Sequence, residues 1–198
     1  MATQTVKQLA LESLRTLPFA SLSASARVDF MLLFASQRQT VRLKIESAVS
    51  LEHLRRWCQQ SALDYASDES NFACVSRQAG CARDVLELDR RTEPHELELG
   101  VALGYPRCCC ERIASIGESN IDSYASQVAQ WPFRGPFTRI NPSGYESGLA
   151  LISHLPCSPE CRESLAIAEK AFEFIRTNKS EPVLGSFVNS YLVARDNT

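Results

Sequence analysis

Two short segments constrain this chain more than anything else in it. "LGYPRCCCERI" at residues 103 to 113 and "ISHLPCSPECRES" at residues 152 to 164 each place a proline just ahead of cysteines, where a helix should begin. If Pro106 and Pro159 both sit at the first helical position, Cys108 and Cys161 both fall two residues further on, with Ser158 as the cap of the second helix. Thiols placed there lie among amide groups that have no partner within the helix. The helix dipole and those free N–H groups favour a thiolate, the form that binds metals and attacks electrophiles.

His154, Cys157 and Cys161 are spaced H-x2-C-x3-C, close enough for one loop and one helical turn to offer all three to one ion. Adding Cys108 or Cys109 makes a three-cysteine, one-histidine set. Such a set suits tetrahedral zinc and is also compatible with an iron–sulfur cluster. The paired CxxC knuckles of a zinc ribbon are absent, as is a ferredoxin-type CxxCxxC run. Successive helical residues turn by about 100°, so Cys108 and Cys109 can flank one site while Cys110 turns toward the core.

The rest of the composition is that of a soluble globular protein. The chain has 198 residues, 44% of them hydrophobic, and a formal net charge of -2. No field of one sign points to nucleic acid. The run "FMLLFA" is too short to span a bilayer, and the N-terminus shows no apolar stretch behind a basic start. A cytoplasmic protein is expected, and in a reducing compartment eight cysteines argue for metal binding or reactivity before disulfides.

Hydrophobic periodicity gives a helix over residues 5 to 17, ending before Pro18, and a β-hairpin over residues 28 to 47. A helix starting with Ser50 as its cap follows, then two strands, "NFACVSR" and "DVLELD". Cys58 and Cys74 read as small buried residues. From residue 92 the character turns helical: a helix capped by Thr92, a second from Pro106, a third at "NIDSYASQVAQW", and a long one from Pro159 to residue 177. "PVLGSFVNSYLVA" closes the chain as a strand pair or a short helix.

The expected fold is therefore α+β. Residues 1–91 form a module with a small antiparallel sheet and helices, and residues 92–198 form a mainly helical half that carries the Cys/His site.

Two further residues are candidates for chemistry. Glu98 shares a helix face with His95 and lies near Cys108 in sequence, so it is a candidate proton acceptor. Arg139, in the loop "WPFRGPFTRINPSGYESG" with Arg134 and Asn141, is a candidate anchor for a carboxylate or phosphate.

The stretches "ELELGVALGYPRCC" and "LISHLPCSPEC" resemble a prokaryotic family of unknown function whose signature runs ELG, LGYPxCC, HxPCSxxC. The resemblance covers residues 96 to 109 and 151 to 161, and it implies that the two segments serve one site. Its motif positions here are Glu98, Gly100, Gly104, Tyr105, Pro106, Cys108, Cys109, His154, Pro156, Cys157, Ser158 and Cys161; Cys110 lies outside it.

The sequence thus supports a metalloprotein with zinc or an iron–sulfur centre held by Cys108, Cys109, His154, Cys157 and Cys161. Such a protein would act on a small anionic substrate or bind a protein partner, with neither nucleic acid nor membrane involved. Two other readings stand beside it: a metal-free thiol enzyme or redox switch, and a structural or interaction protein.

Overall fold

The computed structural model describes residue 12, residues 15–17 and residues 22–179. Most of the helix expected over residues 5 to 17, and all of the closing apolar segment, lie outside the described residues.

Helix α1 (Ala24–Phe34) is capped by Ser23, whose side chain accepts from the Ala26 amide. It leads into strand β1 (Thr40–Lys44), helix α2 (Ala48–Gln60), strands β2 (Asp64–Ser67) and β3 (Phe72–Ser76), and helix α3 (Cys81–Asp89). The three strands form an antiparallel sheet in the order β1-β3-β2, with Val41 opposite Val75 and Tyr65 opposite Val75 on its other side. Helices α4 (Glu96–Leu103), α5 (Arg107–Ile116) and α6 (Ile121–Val128) follow. Short 3-10 turns occupy 135–140 and 142–144, and α7 (Arg162–Thr177) ends the described chain.

The sheet is covered on both faces. Val41, Leu43, Ala73 and Val75 belong to the larger buried cluster, with α1 and with Trp57 and Cys58 of α2. Trp57 meets Phe30 and Phe34 edge-on, at 5.5 and 6.3 Å between ring centroids. Cys74 alternates to the opposite face, against Ala82, Val85 and Leu86 of α3 and Leu103 of α4. The larger cluster runs on through Cys109, Ile152 and Cys161 to Leu165, Ala168 and Ile175 of α7, so the cysteine region shares its core with the sheet.

Three expectations are corrected here. The hairpin over residues 28 to 47 is a helix followed by a strand. Val28 and Phe30 to Phe34 are all buried, so the apolar run shows no one-sided stripe from which a helix could be read. "DVLELD" belongs to helix α3 rather than to a strand; the helix has no capping side chain of its own, and Asp64 of β2 accepts from the Ala82 amide instead. The helix starts also shift. Ser47 caps α2, His95 precedes α4, Pro106 sits one place before α5, and Cys161 takes the cap position of α7.

The corner between α4 and α5 sets the cysteine triplet. Gly104 is left-handed, at φ 90°, and closes a Schellman turn: its amide donates to Val101 and the Tyr105 amide to Gly100. A Cβ at Gly104 would stand 2.8 Å from the Gln39 amide nitrogen, and one at Gly100 would stand 2.6 Å from Cys110 Sγ. Both glycines therefore let backbone approach its neighbour. Gly104→Ala is expected to lower stability by about 1–3 kcal/mol in a urea titration. Wild-type stability would mean that the corner does not hold this conformation.

Candidate metal centre

Pro106 cannot continue α4 and opens α5 so that Cys108, Cys109 and Cys110 occupy its first turn. Cys110 faces Gly100, buried, its thiol directed at the Tyr105 carbonyl. Cys108 and Cys109 turn the other way. The second segment reaches them through an irregular loop that is tied down where Tyr124 donates to the Pro156 carbonyl at 2.8 Å.

Four thiols converge there. Cys108, Cys109, Cys157 and Cys161 place their sulfurs within 4.8 Å of one another. Cys108 and Cys109 are 3.9 Å apart, and Cys161 lies 3.8 Å from the first and 3.7 Å from the second. Cys109 and Cys161 are buried, while Cys108 and Cys157 are half-buried.

The electrostatics are those of thiols sharing charge. Cys161 is pulled down to about 4, first by the hydrogen bond from Cys109 and then, against its burial, by the hydroxyl of Ser164. Burial pushes Cys108 up to about 12 and raises Cys157, and the bond it gives Cys161 raises Cys109. Without a cation the group holds one thiolate readily and resists further ionisation, so a dication bound here must displace protons.

His154 stands beside the four thiols and not among them. Its Nε2 is 2.8 Å from Ser164 Oγ, and Ser164 in turn donates to Cys161 Sγ at 3.2 Å. Since the hydroxyl gives its hydrogen to the sulfur, Nε2 carries the ring proton. Burial drives the imidazole down to about 3, so it is neutral. Its ring lies 5.3 Å from that of Tyr105. Histidine here orients a residue that supports the sulfurs, a role found around metal ligands.

The candidate proton acceptor and anion anchor are placed elsewhere. Glu98 is exposed and faces Arg91 at 3.4 Å. Arg139 lies over the Phe172 ring and pairs with Glu169 of α7 at 3.8 Å. Neither lines the cavity of about 440 Å³ that opens beside the thiol group, among Leu99, Leu103, Tyr105, Cys109, Ile113 and His154.

Sequence reasoning missed the support of the site. Ser164 sits one helical turn after Cys161, and that spacing was the available signal. Arg38 gave none. It is buried, paired with Asp29, and donates to Ser153 Oγ at 2.6 Å, the Thr40 carbonyl at 2.8 Å and Tyr105 Oη at 2.9 Å. Tyr145 donates to the other oxygen of Asp29 at 2.9 Å. This polar cluster fastens both cysteine-bearing segments to the start of β1.

Compared with known protein families, curated proteins and solved structures, the chain matches none. No helix among the described residues is long and apolar enough to cross a membrane.

Proposed function

We propose that the protein is a metalloprotein in which Cys108, Cys109, Cys157 and Cys161 bind one tetrahedral ion, zinc, as a tetrathiolate. The observation that carries this reading is the spacing of the sulfurs. A zinc–sulfur bond of about 2.3 Å requires tetrahedral edges of about 3.8 Å. The three separations of 3.7, 3.8 and 3.9 Å match that edge. In an iron–sulfur cluster each thiolate binds a different iron or shares one across bridging sulfides, which holds the ligating sulfurs further apart; the compact set favours a single ion.

In this reading the metal joins the start of α5 to the start of α7 and fixes the wall of the adjacent cavity. That cavity, where Leu99, Leu103 and Ile113 meet the polar groups of Tyr105 and His154 and the charged side chains of Arg42, Asp89, Arg91, Glu96 and Glu118, is the place for a small-molecule ligand. His154 supports the sulfurs through Ser164, and Glu98 and Arg139 take no part.

Metal analysis by mass spectrometry, on untagged protein purified without oxygen, tests the proposal. About one zinc per chain with no visible colour is the expected result. Iron with sulfide and a brown chromophore would replace the zinc reading by a cluster. Folded protein with neither metal would overturn the proposal in favour of metal-free thiol chemistry, to which the depressed Cys161 thiol is suited.

A further inference from the structure

The four sulfurs are not equivalent. Ser164 Oγ lies 3.2 Å from Cys161 Sγ and 3.4 Å from Cys109 Sγ. These two thiols are the buried pair. Cys108 and Cys157 are half-buried, and among the described residues no hydroxyl is bonded to either sulfur.

That asymmetry decides where a bound metal would leave reactivity. Each N–H or O–H bonded to a thiolate draws electron density from the sulfur and lowers its nucleophilicity. Four thiolates around a divalent ion carry two net negative charges, and a metal-bound thiolate has already lost its proton, so a lone pair is available at neutral pH. Here the Ser164 hydroxyl gives its hydrogen to Cys161, burial shields both Cys161 and Cys109, and the half-buried pair meets solvent.

Resting on the tetrathiolate reading, we propose that the Cys108–Cys157 edge is a nucleophilic face that accepts an alkyl group from a small, uncharged or cationic electrophile. In the step, a sulfur lone pair forms the S–C bond as the bond between carbon and its leaving group breaks. The leaving group departs with the bonding electrons. The thiolate becomes a metal-bound thioether, the net negative charge of the centre falls by one, and neither a proton nor an oxidant is required. A cationic or neutral donor is favoured because a centre with two net negative charges repels an anionic one.

Zinc-loaded full-length protein treated with limiting iodomethane tests this, with the methylated residue located by peptide mass spectrometry and zinc measured in the same sample. The first methyl group is expected on Cys108 or Cys157, about tenfold or more ahead of Cys109, Cys161 and the half-buried Cys81 outside the group. In protein shown to hold zinc, first methylation at Cys109, Cys161 or Cys81 overturns the inference and leaves the tetrathiolate standing. Protein that holds no zinc overturns the tetrathiolate reading itself, and this inference with it.

Discussion

Arg38→Met is expected to lower folding stability by about 3–5 kcal/mol, because it strands a buried carboxylate. Both side chains of the Arg38–Asp29 pair are 3% exposed. Burial raises the Asp29 carboxyl above its ordinary value even with the guanidinium beside it, so the pair is not a source of stability in itself. Its value lies in what it holds. Arg38 supplies donors to Ser153, Tyr105 and the Thr40 carbonyl, and removing it leaves those acceptors without them. The double variant Arg38→Met, Asp29→Leu should recover part of the loss, since no unpaired charge then remains, although Tyr145 loses its acceptor. Urea unfolding of the three proteins measures this. A single-variant loss below about 1 kcal/mol, the range of an exposed pair, would show that the pair is solvated.

The pair also illustrates why only part of this fold was legible. Asp29 and Arg38 lie in a stretch read as a hairpin, and nothing in a linear pattern joins a carboxylate on one turn of a buried helix to an arginine just past its end. Helix α1 escaped because periodicity reports a boundary between core and solvent, and α1 has core on every side. Helix α3 escaped for a different reason: its cap comes from Asp64, on another strand. Where the signal was local, it held. The strand at residues 72–76, the α4–α5 break at Gly104 and the long helix α7 all follow from residues adjacent in sequence.

The same distinction runs through the site. The two proline-led starts pointed to Cys108 and Cys161, the H-x2-C-x3-C spacing added Cys157, and the 100° step allowed Cys109 to join them while Cys110 turned away. Cys108, Cys109, Cys157 and Cys161 are the four thiols that converge. The helix register was off by one to three residues, because Pro159 lies in the turn ahead of α7 and Cys161 itself takes the cap. His154 matched a ligand spacing, yet its nitrogen is engaged by Ser164. Spacing along the chain says that a side chain can reach a point, and competing partners decide whether it does.

Cys161→Ser is expected to abolish stoichiometric metal binding and to lower the thermal midpoint by about 8–16 °C. The magnitude follows from mass action: a metal present at about a thousand times its dissociation constant contributes about 4 kcal/mol. For a chain of this size each kcal/mol is worth about 2–4 °C. Serine is chosen because Cys161 occupies the cap position of α7, where its sulfur makes no capping hydrogen bond of its own. A serine oxygen caps a helix well, so the substitution removes a soft ligand while sparing the helix start. Without a metal site, the variant should therefore be as stable as the parent or slightly more so. Cys110→Ala provides the contrast. It removes a buried thiol from the same first turn, outside the converging four, and should keep its metal while losing only packing against Gly100. A strong chelator added to the parent protein should reproduce the Cys161→Ser shift and leave the variant itself unmoved. If the chelator shifts neither protein, or if Cys161→Ser retains its metal, then the four thiols pack beside one another without holding an ion.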